Sequence, residues 1–358
     1  MNKIDWYIIK KFMGTFFFTL GLILLIVIIF DISEKIDDFL EHELTLKSII
    51  FDYYFNFIPF FGNLFSPLFI FISVIFFTSK MANDSEIIAI LNSGMSFNLL
   101  LKPFLISAII LGFLSFLLGN FVIPPSNVKR INFENKYIKN KRYANEKDIH
   151  MQIMPGQYIY MHSFNSRRNI GYKFTLENFQ DGELISKLKS DYIQFDSIKN
   201  IWQINNYQIR EFLNNKQNIS EGRRLDTILN LHPDEFTKRI SLVETMNMFE
   251  LKDYIAEEQL KGSKQLVYHK IERHKRNAFP FASIILTVIA VAIASRKTKG
   301  GTGIHLGIGI VIAFSYILFM QISTTFATNS NLDPALAVWI PNLCYIMLAS
   351  ILFYTAPK

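Results

Sequence analysis

Seven histidines, a lone cysteine and one glycine-rich turn are the obvious places to look for catalysis in this chain, and none is spaced for it. His42, His150, His162, His232, His269, His274 and His305 show no metal-ligand periodicity, and His269 and His274 sit in a basic cluster. Cys344 lies alone in an apolar run, where it reads as a filler. Gly300, Gly301, Thr302 and Gly303 lack the following Lys of a nucleotide-binding loop and open an apolar stretch. No nucleophile, acid–base pair or metal set can be assembled, so an enzyme is the least favoured class. Energy-driven work would need a partner. The pattern suited to recognition is the stretch 83–94. Asp84 or Ser85 can cap a helix, Glu86 complements its dipole, and Gly94 can end it in a left-handed conformation. Ile87, Ile90 and Leu91 form one apolar stripe. That stripe fits either a lipid surface or a groove in a cytoplasmic motor, with Glu86 offered to a basic residue there.

The elements around this helix are membrane spans. Half of the 358 residues are hydrophobic, 35 are Phe, only 19% are charged, and mean hydropathy is +0.23. A soluble globule carries about a quarter charged residues. Disorder, a collagen-like fibre and a disulfide scaffold are excluded by the apolar content, the absence of a Gly repeat and the single cysteine. A span needs about 20 apolar residues. Six stretches qualify, at 12–30, 53–79, 103–123, 277–295, 303–323 and 335–355, and none contains Asp, Glu, Lys or Arg. Pro59, Pro67, Asn56 and Asn63 predict a kinked second helix with its polar groups turned toward protein. Gly303 and Gly307 have the spacing for close helix approach, expected within this chain. Lys3, Lys10 and Lys11 precede the first run, but that run is long and lacks a cleavage site, so it is expected to remain as a span.

Short-loop charge sets the orientation. Lys3, Lys10, Lys11, Arg296, Lys297 and Lys299 place both termini in the cytoplasm. The net charge of +7 then marks loop ends and headgroups, and nucleic acid is not an expected partner. Basic clusters at 129–142 and 270–276 fall on the opposite side. They read either as generic headgroup anchors or as phosphate ligands.

Between the third and fourth spans the pattern changes to strands. Tyr172, Phe174 and Leu176 alternate with Lys173, Thr175 and Glu177, and Asp181 with Gly182 signals a hairpin. Trp202 and Ile204 share one phase, whereas Tyr207 and Ile209 share the other, so a bulge or turn is expected at Asn205 and Asn206. The reading is a β-sandwich or an open roll, then a helix over 250–261 carrying Leu251, Tyr254 and Ile255. The fold class is an α-helical membrane protein with an inserted all-β domain, three spans on each side. The expected divisions are 1–126, 127–248 and 249–358.

Four local patterns in this order resemble the LptF/LptG family of lipopolysaccharide export permeases over essentially the whole chain. They are Tyr7 to Phe12, Ser85 to Gly94, Glu272 to Pro280, and Pro334 to Asn342. The resemblance implies a permease subunit of an ABC transporter that extracts lipopolysaccharide from the inner membrane. It implies a paralogous permease partner, an LptB-type ATPase dimer that binds the ATP and Mg (no cofactor on this chain), and an LptC/LptA-type periplasmic jellyroll bridge. It also implies that Ser85, Glu86, Ile87, Ile90, Leu91, Ser93 and Gly94 form the ATPase-coupling helix. Lys35, Lys129, Arg130, Arg273, Lys275 and Arg276 become candidates for lipid headgroup binding. Lys35 is the single basic residue in a stretch that is acidic here and basic in the family. The jellyroll-like domain would be periplasmic, with Phe174, Leu176, Trp202 and Ile204 either lining it for acyl chains or forming ordinary core. The competing readings are a membrane sensor or scaffold with a ligand-binding β domain, and a different ABC lipid or lipoprotein permease.

Overall fold

The computed structural model describes residues 2–138, 145–213, 216–236, 240–263, 265–297, 301–330 and 332–356. Lys299, Gly300 and the 139–142 part of the basic cluster lie outside the described residues. The chain divides into two compact units.

The first unit, 1–138 with 243–249 and 267–358, holds six helices long and apolar enough to cross a membrane. We label them α1 (Lys3–Glu41), α2 (Leu46–Asn83), α4 (Phe97–Ile138), α6 (Leu266–Ala294), α7 (Gly301–Asn329) and α8 (Pro334–Tyr354); α3 is the short helix Glu86–Asn92 and α5 is Met248–Leu260. Six helices flanking an inserted sheet are what the apolar runs require. The helices extend past those runs, and α4 continues through 123–138, so the sheet begins after a helix that passes the expected division at 126.

Backbone groups freed inside these helices find partners, as a medium without water demands. A wide π-helical turn opens α2 at Ile49–Tyr54, and Asn56 Nδ2 donates to the Phe51 and Asp52 carbonyls at 3.1 and 3.0 Å. A second such turn, Leu118–Val122, interrupts α4, where Asn120 Nδ2 donates to the Phe116 carbonyl. Pro341 deprives the Ala337 carbonyl of its amide partner, and the Ser323 hydroxyl from α7 donates to it at 2.6 Å. Asn342 accepts from Tyr316 at 2.9 Å and donates to the Ala278 carbonyl, joining α8 to α7 and α6. Asn63 faces protein as expected, its Oδ1 accepting from Ser115 at 2.6 Å.

Coverage by the chain itself is uneven. In the most apolar window of α6, 61% of residues are buried, against 11% in α1 and 28% in α7. The core of the unit therefore runs along α6, while α1 and α7 present large apolar faces outward. The glycine expectation is corrected here: a Cβ at Gly303 or Gly307 would meet nothing within 4 Å. The close approach on α7 occurs at Gly309, where a Cβ would collide with the Ile75 side chain.

The second unit, 139–242 with 250–266, is one six-stranded antiparallel sheet in chain order, from β1 to β6. The strands are β1 (Asn145–Met154), β2 (Gln157–Asn165), β3 (Ile170–Gln180), β4 (Glu183–Asp196), β5 (Ile201–Leu213) and β6 (Lys216–Thr227). A single sheet selects the open roll over the sandwich. The expected hairpin joins β3 to β4, with Asp181 and Gly182 both at positive φ. Helix α5 belongs to this unit from Glu250 on and buries Leu251, Tyr254 and Ile255.

The phase slip read at Asn206 is one point of a crease crossing the whole sheet. The flanking registers place Asp148, His162, Lys173, Asp191, Asn206 and Arg223 opposite one another, one per strand. Asp148, Lys173 and Asn206 have φ near +50°, at about 1–2 kcal/mol each. All six side chains are exposed, and on β2, β3 and β4 the buried positions switch parity across the line. Two contacts tie the line together, His162 Nδ1 to Asp148 at 3.2 Å and Asn206 Nδ2 to Asp191 at 3.0 Å. The alternation expected for Tyr172 fails for this reason: Lys173 turns the strand over, leaving Tyr172 exposed and Gly171 inward. On the inner side space is short, since a Cβ at Gly171 would lie 2.2 Å from Met161 Sδ and 3.3 Å from Ile193 Cγ1. Gly171→Val is expected to cost about 1–3 kcal/mol through overpacking. Faster amide hydrogen exchange in β2, β3 and β4 would show it; unchanged exchange would mean that the crease has slack.

Candidate functional site: a short helix between two spans

Helix α3 sits between α2 and α4, and its ends are set by local chemistry. Ser85 is its N-cap residue, at φ +61°, with no capping bond of its own; its Oγ accepts from Lys297 Nζ at 3.0 Å. Gly94, at φ +87°, closes the far end, its amide donating to the Leu91 carbonyl at 3.1 Å. Ser93 Oγ donates to the Ile90 carbonyl at 2.7 Å, and Ser96 caps α4 by accepting from the Leu99 amide. A left-handed serine is a strained conformation, held here by a lysine from the segment between α6 and α7.

The apolar stripe points into the chain, not away from it. Ile87 is 1% exposed within the core of α1, α2, α4 and α6, and Ile90 and Leu91 pack against that core half-buried. Within this chain the stripe seats α3 against its own bundle. The outward face carries Ile88, Ala89, Asn92, Ser93 and Gly94, all exposed. Glu86 is half-buried beside this face, and Tyr7 Oη donates to its two carboxylate oxygens at 3.4 and 3.2 Å. Lys11 Nζ lies 5.3 Å from the Tyr7 ring centroid.

Two residues that the sequence reading did not connect with this helix therefore fix the geometry, Tyr7 from α1 and Lys297 from the segment after α6. No spacing rule links residues so far apart. Nearby, His305 Nε2 meets the Arg296 carbonyl at 3.0 Å, and Arg296 donates to the Thr355 carbonyl, so the ends of α6, α7 and α8 are tied together next to Lys297. Such a surface can receive a partner protein through one exposed isoleucine, a partly exposed carboxylate and a polar rim.

The candidate headgroup residues separate into two groups. Lys35 is paired with Asp31 at 2.5 Å and bonded to Tyr53, whose ring its Nζ also overlies; Tyr54 Oη donates to Asp31 at 3.0 Å. Arg130 is 8% exposed, stacks on Phe60, and reaches Glu134 at 3.2 Å, Glu244 at 3.5 Å and Asn127 at 3.1 Å. Arg276 donates to Glu272 at 3.1 Å and to the Met246 and Val243 carbonyls at 2.7 Å each. Within this chain these three are paired with the first unit's own carboxylates and carbonyls. Lys129 and Arg273 are exposed and Lys275 is half-buried. Glu244 is held above the usual carboxylate range by burial and by the nearby Glu272, against the opposing pull of Arg130.

In the sheet, Phe174, Leu176, Trp202 and Ile204 are all buried in one cluster with Phe164 and Phe236. Trp202 Nε1 donates to the Leu231 carbonyl at 2.8 Å, and the Phe236 ring lies tilted against Phe164, centroids 4.5 Å apart. The segment after β6 thus covers the apolar face, and these four residues serve as core. Among the described residues no group of His, Cys, Asp or Glu is placed to hold a metal.

No curated protein matches the chain. The family model for the lipopolysaccharide export system permease LptF/LptG matches residues 6–355, which takes in α1 through α8 and the whole sheet. The chain thus belongs to the LptF/LptG family of lipopolysaccharide export permeases.

Proposed function

We propose that this permease is a transport subunit of an ABC transporter, extracting lipopolysaccharide from the inner membrane and passing it to a periplasmic bridge toward the outer membrane. The observation that carries the proposal is the anchored helix Glu86–Asn92, whose inner stripe is bound to the bundle while its outer face stays open. Motion of a partner seated on that face would pass through Ile87 and Ser85 into α2, α4 and the α6–α7 segment. ATP and Mg belong to the partner, an LptB-type ATPase dimer, and this chain hydrolyses nothing. A paralogous permease subunit covers the outward faces of α1 and α7, whose largely unburied apolar windows need lipid or protein around them.

Both termini are cytoplasmic in this reading and the sheet is periplasmic, in or beside an LptC/LptA-type jellyroll bridge. Lys129 and Arg273, exposed and on the periplasmic side, meet lipid A phosphates or neighbouring headgroups. A sensor or scaffold would have no use for a strained, lysine-braced helix between two spans.

Purification from native membranes in mild detergent tests the proposal. Recovery of an ABC ATPase and a second six-helix permease is expected, together with accumulation of lipopolysaccharide in the inner membrane of cells depleted of this chain. Recovery of the chain alone, with normal outer-membrane lipopolysaccharide after depletion, would favour the sensor reading.

A further inference from the structure

The sheet carries a cavity that the export reading does not use. It measures about 810 Å³ and lies between the crease and the turns that join β1 to β2 and β3 to β4. Register and burial put it on the face opposite the core cluster. Ile149, Ile159, Leu176 and Leu188 point to the core, and the alternate positions point outward. On that outer face His150 stands opposite Tyr160, while Tyr158, Glu177 and Lys187 face one another in a row across β2, β3 and β4.

The lining decides what fits. Its rings are paired yet partly open: the His150 and Tyr160 centroids are 4.7 Å apart, those of Tyr158 and Phe179 5.6 Å, and Tyr158 is 41% exposed. Lys187 meets Glu177 Oε1 at 2.5 Å, half-buried. Among the described residues that pair leaves Glu177 Oε2 as an acceptor and two N–H groups of Lys187 as donors. The framework is fixed, because the Phe179 amide donates to the Gly156 carbonyl at 2.7 Å and Tyr160 Oη donates to Asp148 at 3.0 Å.

Charge narrows the guest further. Glu177 and Asp181 against Lys187 give the lining one net negative charge, which opposes a phosphate or carboxylate. Lys187 inside the cavity opposes a cation, and an apolar guest would strip water from the ion pair without replacing it. A pyranose meets every condition. The C–H groups on one face of its ring lie on the electron-rich face of an aromatic ring, and its neighbouring hydroxyls both donate and accept.

We propose that this outer cavity binds an uncharged pyranose unit of a glycan, with Tyr158 as the stacking platform and Glu177 and Lys187 bridging adjacent hydroxyls. The volume is that of an ordinary small-molecule site, about 300–1,000 Å³. In the periplasmic placement proposed above, two sources supply such a unit: the sugars of lipopolysaccharide and the glycan strands of the cell wall. Only the choice between sources rests on that placement; the site itself rests on the sheet.

The test is isothermal titration of the full chain in a mild detergent that contains no sugar. The two probes are the lipid-free oligosaccharide of lipopolysaccharide and an N-acetylglucosamine tetrasaccharide. At least one is expected to bind with a Kd of about 1 mM or tighter. Tyr158→Ala and Glu177→Gln are each expected to weaken that binding about tenfold, whereas Tyr158→Phe keeps the ring and most of the affinity. These side chains lie on the outer face, so the core cluster is untouched. Binding of the first probe alone would support the site as a contact for the exported lipid's sugars, and binding of the second alone would support it as a cell-wall contact. No binding of either at millimolar concentration, or unchanged binding in Tyr158→Ala, would overturn the proposal. Neither the ATPase nor an acyl chain enters these readouts, so the site can fail while the export reading stands.

Discussion

Glu86→Arg is expected to strip the ATPase from the purified complex and to stop lipopolysaccharide export while the helical unit stays folded. Glu86 is half-buried at the base of the open face of α3, its carboxylate oriented by Tyr7 Oη. In the proposed complex a carboxylate so placed would pair with a basic residue of the partner. Removing one member of a desolvated interfacial pair costs roughly 2–5 kcal/mol, or about 30-fold to several-thousand-fold in affinity. Arginine adds repulsion, since Lys297 is anchored one residue away on Ser85. The fold is spared because α3 is held by Ile87, Ile90 and Leu91 and not by Glu86. Tyr7→Phe removes only the orienting hydroxyl and is expected to weaken attachment less. Co-purification with unchanged helical circular dichroism is the readout; full ATPase recovery with Glu86→Arg would remove the helix from the coupling role.

The second large effect concerns Arg276, which ties residues 243–249 to α6. Arg276→Met leaves two carbonyls and the Glu272 carboxylate without their donor. The side chain is only 8% exposed, so breaking this set costs about 3–5 kcal/mol. The loss is expected to be local: hydrogen exchange over 243–249 should accelerate and the detergent melting temperature should fall. Arg276→Lys keeps the charge but cannot serve two carbonyls and a carboxylate together, so it should fall between. An unchanged exchange rate in Arg276→Met would show that Asn127, which donates to the Glu244 carbonyl at 3.1 Å, suffices alone.

Apolar length made the helical unit legible, because a span announces itself in composition. The hairpin at Asp181 and Gly182 and the buried face of α5 followed from turn chemistry and period. Short-range bonding made α3 legible too, its far end fixed by Gly94. What stayed hidden depends on distant residues. The direction of the Ile87 stripe is decided by which helices surround it, so a partner-facing and a bundle-facing stripe look alike in sequence. The fates of Lys35, Arg130 and Arg276 were half hidden: Asp31, Glu134 and Glu272 lie four residues away on the same helix, but Tyr53, Glu244 and the Val243 carbonyl come from other elements. At Asn205 and Asn206 one strand's slip was readable, but the crease is collective and emerges only when six registers are aligned.

ATP-driven transfer in a defined membrane tests the central claim most directly. The chain would be reconstituted with its co-purified permease and ATPase in vesicles containing lipopolysaccharide, and the lipid delivered to a soluble jellyroll acceptor measured. The account predicts delivery that requires ATP, is absent without this chain, and is lost with Glu86→Arg. Delivery at the same rate from vesicles lacking this chain would contradict it.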